Sequence, residues 1–316
     1  MSLQPADWQA VTTQPCELGE SPFWHPQEQR LYWVDIPGKQ ILRTQVGTGT
    51  IDTWDLPSEP GCMAPAASGG LVMALRSGVY RAKTWGGALE HLVTLDYNPA
   101  HMRANDGKCD ALGRFWIGTV DETKVARNAA LYALDCRTGT PVLARKTDPA
   151  TLPATTANCL AWSPDGRTLY WADTPSHLVH AWDFDAATSA MTGHRTFARF
   201  PPKPAGWQFA PAADNGGYRG RPDGAAVDVQ GNYYAALFEG RRLCKFAPDG
   251  TLLAEYATPA QCPTMPCFGG PDLQTLFVTS ASHGRSAAEL AAFPLSGYVL
   301  SMRVDVPGLP VNSFVD

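Results

Sequence analysis

A unit of short strands recurs six times along the chain, and this repeat constrains the fold more than any other feature. Each unit has β-branched and aromatic runs separated by Gly, Pro, Asp and Asn, the pattern of consecutive antiparallel strands. The units span Pro22–Leu56, Pro65–Leu95, Asn105–Lys146, Asn158–Phe200, Asp223–Tyr256 and Pro263–Val304. Four-stranded repeats of about 40–50 residues are typical of propeller blades. The sequence therefore predicts an all-β, six-bladed β-propeller with four-stranded antiparallel blades around a central channel.

One propeller accommodates the whole chain. A length of 316 residues would ordinarily suggest two domains, but a propeller exceeds the usual size of a single core because it adds blades around an axis. We therefore predict that residues 1–316 form a single domain.

The segment 201–221 is too long for a hairpin loop and is rich in Pro, Gly and Ala. It is either a functional loop over one mouth of the channel or an insertion packed on the surface.

Charge and composition narrow the class of partner. The formal net charge is −5, and no Lys/Arg run or basic face is present, which argues against a nucleic-acid partner. The N-terminus lacks a secretion signal and no apolar run approaches membrane-spanning length, so we expect a cytoplasmic protein with no membrane partner. The eight cysteines are scattered and are expected to be reduced thiols. A small-molecule ligand fits these features best.

Polar residues precede the predicted innermost strands of several units. They are Glu20, Asn105, Asp106, Asn158 and Asp223, and in a propeller such positions face the central axis. Carboxylates and amide oxygens around one axis repel one another or stay unsatisfied unless a cation lies between them, and they suit a hard divalent cation. Each residue also has an ordinary interpretation, as a solvated loop acid or a turn residue.

Asp223 is the most ambiguous of these residues, because it stands in a Pro-Asp-Gly tripeptide like those at 164–166 and 248–250. The other two tripeptides join one predicted strand directly to the next, as hairpin turns do. Asp223 instead follows the long 201–221 segment and opens a predicted inner strand. Spacing alone therefore does not distinguish a turn residue from a site residue at Asp223.

Five motifs, in order and at blade spacing, resemble the senescence-marker-protein/gluconolactonase family, which includes the regucalcin-like lactonases. The resemblance covers essentially the whole chain. The segments that carry it are Cys16–Trp24 with Leu31–Ile36, Arg103–Asp110 with Gly113–Thr119, Ala157–Gly166, Arg221–Gly224 and Phe268–Asp272.

The resemblance implies a sugar lactonase that hydrolyses a small aldono- or related sugar-acid lactone and uses one divalent cation, Ca, Zn, Mn or Mg. It implies that Glu20, Asn158 and Asp223 hold the metal and that Asp223 is also the general base. Arg103 and Asn105 match substrate-binding positions.

Two departures from the family pattern concern specificity. Cys159 stands where the family usually has Gly, and a thiol there is expected either to narrow the channel or to shift the backbone. After Gly118-Thr119 the family's regucalcin type has two acids, the second of which contacts substrate, whereas this chain reads Asp121-Glu122-Thr123. Aligned without a gap, the substrate contact falls on Thr123, and Glu122 beside it is assigned to the substrate site as the nearest acid.

Two other functions fit the same features. A related calcium propeller hydrolyses organophosphate esters, so an esterase of that kind is one alternative. A calcium-binding propeller without catalysis is the other, although Arg103 and Asn105 would serve no purpose in a metal buffer. The particular lactone, its ring size, the physiological metal and the oligomeric state do not follow from the sequence.

Overall fold

The computed structural model describes residues 3–210 and 217–316, and it confirms the predicted six-bladed propeller. Each blade is a four-stranded antiparallel sheet whose first strand lies nearest the axis. Blade one consists of β2 Gly19–His25, β3 Arg30–Asp35, β4 Gln40–Thr44 and β5 Ile51–Asp55. Blade two consists of β6 Pro60–Pro65, β7 Leu71–Leu75, β8 Gly78–Ala82 and β9 Glu90–Thr94. Blade three consists of β10 Met102–Cys109, β11 Phe115–Asp121, β12 Leu131–Asp135 and β13 Val142–Arg145.

The remaining blades continue the same order around the axis. Blade four consists of β14 Ala157–Trp162, β15 Thr168–Asp173, β16 Leu178–Asp185 and β17 Ala190–Arg199. Blade five consists of β18 Arg221–Val227, β19 Tyr233–Phe238, β20 Arg242–Phe246 and β21 Leu252–Ala257. Blade six consists of β22 Pro263–Gly269, β23 Thr275–Ser280, β24 Leu300–Arg303 and β1 Gln9–Ala10.

Blade six corrects the prediction that each unit contains its own four strands. Its outermost strand, β1, comes from the N-terminus and pairs with β24 through Gln9–Ser301 and Ala10–Leu300. A short helix, α1 Ala287–Ala292, stands between β23 and β24. Pairing the two ends of the chain closes the ring, so that no blade is left with an uncovered face or an open seam.

Side chains buried between neighbouring blades hold the ring together. There is one hydrophobic cluster at each of the six blade interfaces among the described residues. Trp33, Trp116 and Trp171, on the second strands of blades one, three and four, are almost fully buried. Burying a large side chain of this kind contributes about 1.5–3 kcal/mol or more to stability. The alternating apolar positions of each strand therefore produce the stacking of blades.

All eight cysteines are free thiols and all are buried. Within 3–210 and 217–316, no helix has both the length and the apolar character needed to cross a membrane.

Candidate functional site

Every innermost strand contains a β-bulge or register shift in its N-terminal half, at one end of the channel. The shifts lie at Glu20/Phe23, Pro60/Cys62, Ala104/Gly107, Asn158/Ala161, Pro222/Ala225 and Pro263/Pro266. A bulge turns a side chain away from the regular pleat and is common next to functional sites. The polar residues predicted to face the axis therefore lie within the inner strands, at or beside their bulges, and not before the strands as the sequence suggested. Among the predicted site residues Glu122 is the exception, because it follows β11, the second strand of blade three.

Glycine conformation separates Asp223 from the two Pro-Asp-Gly turns. Gly166 and Gly250 have positive φ of 67° and 87°, as hairpin turns require. Gly224 does not, and a Cβ placed on it would lie 2.8 Å from the Cα of Met265 in β22. This glycine therefore permits close contact between two inner strands, and Asp223 is a strand residue that faces the channel.

Asn158 joins three blades through its side-chain amide. Its Nδ2 donates to Asp223 Oδ1 at 2.7 Å and to Thr174 Oγ1 at 2.8 Å, and its Oδ1 accepts from Asn105 Nδ2 at 2.8 Å. The Thr174 hydroxyl in turn donates to the carbonyl of Pro222 at 2.7 Å. Thr174 was not predicted from the sequence. The only signal for it was its position directly after β15, at the same mouth of the channel.

Glu20 and Asp223 are two buried carboxyl groups that affect each other. Burial raises the pKa of Glu20 well above its ordinary value, and the charges of Asp223 and Asp106 raise it further. Burial likewise raises the pKa of Asp223, and Asp106 adds to that shift. Burial is the largest cause of both shifts and neighbouring carboxylates add to them, so a bound cation would oppose both.

Asp106 and Lys108 connect the site to the interior of the channel. Asp106 Oδ2 accepts from the Leu160 amide at 2.9 Å, while its Oδ1 is buried and has no hydrogen-bond partner within 3–210 and 217–316. The Lys108 ammonium donates to the carbonyl of Ala225. Asp106 thus bonds to the backbone of blade four, and Lys108 reaches the backbone of blade five, so both side chains tie inner strands together.

The oxygen donors, which include one amide oxygen, suit a hard divalent cation. Glu20 and Asp223 supply carboxylate oxygens, and Asn158 Oδ1 has a second lone pair besides the one that accepts from Asn105. Among residues 3–210 and 217–316, no group of three or more His, Cys, Asp or Glu is placed to hold a metal ion. A cation here would therefore need the Asn158 oxygen as its third protein ligand.

Arg103 lies beside this network in a chain of alternating charges. Its Nη1 donates to Asn105 Oδ1 at 2.9 Å, and its Nε lies 3.4 Å from a Glu122 oxygen. Glu122 also pairs with Arg76 at 2.8 Å. Thr123, by contrast, turns its hydroxyl to Asp121 Oδ1 at 2.5 Å. Of the two positions considered for the acidic substrate contact, Glu122 is therefore the one that faces Arg103. Arg76 was not identified from the sequence.

Cys159 neither narrows the channel nor points into it. Its backbone has φ of +62°, in the left-handed region that Gly occupies most easily, and its side chain is fully buried in the cluster between blades four and five. Its carbonyl accepts from the Tyr233 hydroxyl at 2.9 Å. The backbone thus takes the conformation that a glycine would adopt here.

Replacing Cys159 with Val is expected to destabilise the protein by about 1–3 kcal/mol, because a β-branched residue is strained at positive φ. Cys159→Gly relieves that strain but leaves a small void, so we expect it to stay within about 1 kcal/mol of wild type. Cys244 lies in the same cluster at ordinary φ, so Cys244→Val controls for added volume alone. Urea unfolding midpoints measure the stability of the three variants. Equal losses of stability in Cys159→Val and Cys244→Val would contradict backbone strain at Cys159.

A cavity of about 410 Å³ opens at the other end of the inner strands. It is largely apolar, and its lining includes Trp24, Trp162, Phe268 and Lys108 but none of the predicted metal or substrate residues. Chemical function is better assigned by the convergence of polar groups than by volume. The candidate site is therefore the mouth that contains Glu20, Asn158 and Asp223.

Comparison with known proteins agrees with the fold and the motifs. The chain is 39% identical to 6-deoxy-6-sulfogluconolactonase from Pseudomonas putida over 94% of this chain and 95% of that protein. It is 30% identical to regucalcin from Danio rerio, with 97% of each chain covered. The calcium-binding protein regucalcin from Agrobacterium tumefaciens has the same fold, with a TM-score of 0.88, 23% identity and 99% of each chain covered. Residues 18–282 match the SMP-30/Gluconolactonase/LRE-like region. The chain belongs to the SMP-30/gluconolactonase/LRE-like family.

Proposed function

We propose that this protein hydrolyses a sugar lactone to the open-chain acid, with a divalent cation held by Glu20, Asn158 and Asp223. The observation that carries the proposal is the bonded network in which Asn158 joins Asp223 to Asn105, and Asn105 to Arg103. In this network Asn158 and Asp223 have oxygens that suit a cation, and Arg103 beside them has donors that suit a sugar, which supports the proposal. The name of the relative from Pseudomonas putida supports a lactone as the substrate.

When bound, a divalent cation supplies Lewis-acid chemistry for the lactone carbonyl and lowers the pKa of water beside it. Asp223 accepts the proton of the attacking water on its carboxylate, because it is a buried carboxylate within the proposed ligand set itself. The Asn158 amide orients that carboxylate through its 2.7 Å bond. Asp223 is thus both a ligand and the general base in this proposal.

Arg103 and Asn105 bind and orient the sugar. The Arg103 guanidinium is held by Asn105 Oδ1 and lies beside Glu122, so its donors are fixed before the substrate arrives. Both N–H groups of the Asn105 amide are already bonded, to the Ala157 carbonyl and to Asn158 Oδ1, so Asn105 meets the sugar through the remaining lone pair of its oxygen. Fixed donors reduce the entropy that is lost when the ring is positioned for attack. Glu122 forms an ion pair with Arg103 and presents its partly exposed carboxylate to sugar hydroxyls. We retain the predictions of a cytoplasmic location, a single domain and no nucleic-acid partner.

Hydrolysis of a panel of aldonolactones, followed by acid release at constant pH, tests the proposal. We expect turnover of at least one lactone, with kcat/KM well above that for a phosphotriester. Preferential turnover of the phosphotriester would indicate the organophosphate esterase. Calcium binding without turnover of any lactone would indicate the non-catalytic calcium-binding propeller. The similar regucalcin from Agrobacterium tumefaciens is a calcium-binding protein.

A further inference from the structure

Three cationic side chains converge on one buried carboxylate at the mouth that holds the candidate site. Lys203 Nζ lies 2.8 Å from Glu239 Oε2, and Arg285 Nη1 lies 3.2 Å from Glu239 Oε1. Arg221 Nη2 lies 3.6 Å from Glu239 Oε2. We call Lys203, Arg221, Arg285 and Glu239 the cationic cluster.

The cluster presents its positive charge outward. The Glu239 side chain is only 4% exposed, whereas those of Lys203 and Arg221 are 30% and 28% exposed. Arg285 also donates two hydrogen bonds to Glu289. The charge of Glu289 therefore offsets the charge of Arg285. Across the described residues of the cluster and Glu289, three cations face two carboxylates, and the two cations most open to the channel mouth are Lys203 and Arg221.

Arg221 has a donor left over. Its Nε is buried and has no hydrogen-bond partner among the described residues, although a buried N–H of this kind is costly to leave unsatisfied. Its guanidinium carbon lies 5.3 Å from the centre of the Phe238 ring, its strand partner. The ring packs beside the guanidinium, and the side chain as a whole stays partly exposed at the mouth. A planar fork of this kind matches the oxygens of an oxyanion.

Lys203 is held at the same place by its backbone. Its amide donates to His177 Nε2 at 3.2 Å, and its ammonium lies 4.7 Å from the centre of the Trp207 ring. His177 follows the short helical turn Thr174–Ser176, which also positions Thr174 against Asn158. The lysine is therefore anchored by the element that supports the predicted metal site.

The distance to the reacting centre fits the length of a six-carbon sugar. Arg221 precedes Asp223 by two residues in β18, a separation of about 7 Å along a strand. The charge of Arg221 is one of the influences that lower the pKa of Asp223, after burial and Asp106 have raised it. A lactone whose carbonyl lies at Asp223 would therefore bring its far end to Arg221.

The side of the mouth that contains Arg103 has a different character. Glu122 lies between Arg103 and Arg76, and Arg76 also pairs with Glu59 at 3.0 Å. Two cations and two carboxylates alternate there and cancel, which suits neutral hydroxyl groups. The two sides of the mouth thus differ in net charge, and this difference gives a bound sugar one orientation.

We propose that Arg221 and Lys203 form an anion subsite that binds a sulfonate, phosphate or carboxylate at the end of the sugar remote from the lactone carbonyl. The inference rests on the proposed lactone hydrolysis and names its substrate class as an anionic sugar lactone. Arg221 binds two oxygens of the group through its fork, and Lys203 contributes a second point of charge.

Rates on four lactones of similar size test the subsite. They are D-glucono-lactone, which is neutral, and the 6-deoxy-6-sulfo, 6-phospho and glucaro analogues. We expect wild type to favour at least one anionic lactone in kcat/KM, chiefly through KM. Arg221→Met and Lys203→Met are each expected to lower the anionic-to-neutral ratio about 10–100-fold, the usual effect of losing a hydrogen bond to a charged group. The analogue with the largest ratio identifies which anion the subsite takes.

Arg303 provides the matched control. It is 60% exposed, pairs with Asp272, and lies at the opposite end of blade six, beside the β22–β23 turn. Arg303→Met removes a surface arginine without touching the mouth, so the ratio is expected to stay at the wild-type value. A fall in the ratio as large as that in Arg221→Met would attribute the effect to overall charge and overturn the subsite.

A binding measurement separates failure of the subsite from failure of the proposed function. Open-chain 6-deoxy-6-sulfogluconate is titrated calorimetrically into wild type and both variants, and weaker binding in the variants supports the subsite even where no lactone is turned over. Lactone turnover with an unchanged ratio in both folded variants overturns the subsite and leaves the hydrolase standing. If Arg221→Met does not fold, Lys203→Met decides, because its side chain is partly exposed and its loss leaves Arg285 on Glu239.

Discussion

Asp223→Asn is expected to lower kcat for lactone hydrolysis by about 10²–10⁴-fold, the range that loss of a general base produces. The amide has nearly the same shape as the carboxylate, but it neither accepts a proton nor carries the charge that holds a cation. It also places an amide group against Asn158 Nδ2, where Asp223 Oδ1 now accepts at 2.7 Å. Steady-state rates at saturating lactone and metal measure the effect.

The sequence provides a matched control in Asp249. It stands in the same Pro-Asp-Gly tripeptide, but it is exposed and accepts only from the Thr251 amide in a hairpin turn. Asp249→Asn is therefore expected to keep wild-type kcat. Retention of more than a tenth of the wild-type rate by Asp223→Asn, with metal bound, would assign the base to another group.

Removal of the metal is expected to abolish lactone turnover and to lower the unfolding temperature. At a free metal concentration a hundred times Kd, binding stabilises the folded state by about 2.7 kcal/mol, which corresponds to several degrees in Tm for a chain of this size. Turnover should return when the metal is added back to the stripped protein. Scanning calorimetry of stripped and reloaded protein measures the shift.

The effect on Tm should grow as the pH rises. Burial and mutual repulsion raise the pKa values of Glu20 and Asp223 in the metal-free fold. A carboxyl group whose pKa is higher in the folded than in the unfolded protein stabilises the fold while it is protonated. This contribution is fully present below the ordinary carboxyl pKa of about 4 and is lost as the pH rises through the pKa of the folded state. A bound cation favours the ionised forms and removes that loss. The Tm difference between loaded and stripped protein should therefore be larger at pH 8 than at pH 5.

Glu20→Gln is the companion variant for this experiment. It removes one of the two repelling carboxylates, so the stripped variant should lose less stability at high pH than the stripped wild type, and added metal should raise its Tm less. A Tm difference in wild type that is independent of pH, or turnover that survives thorough chelation, would contradict a metal site built on Glu20 and Asp223.

Local pattern predicted most of the architecture. Alternating apolar residues and Gly- or Pro-containing turns act over a few positions, so strands and the number of blades are readable from the chain. The pairing of Gln9–Ala10 with Leu300–Arg303 joins segments about 290 residues apart, and no local signal marks it. The bulges are equally hidden, because a register shift depends on two strands at once. Sequence patterns therefore predicted six units but not the closure of the ring.

The sequence by itself determined the family motifs and the presence of a glycine after Asp223, and it predicted Glu20, Asn158 and Asp223 as candidate axis-facing residues. Only the tertiary structure decided that Asn158 joins Asp223 to Asn105, that Glu122 faces Arg103, and that Cys159 points between blades. It alone brought Lys203, Arg221 and Arg285 to Glu239 from three different elements. The physical reason is that residue type and spacing act along the chain, whereas charge balance and hydrogen bonding are set by which blades meet at the axis.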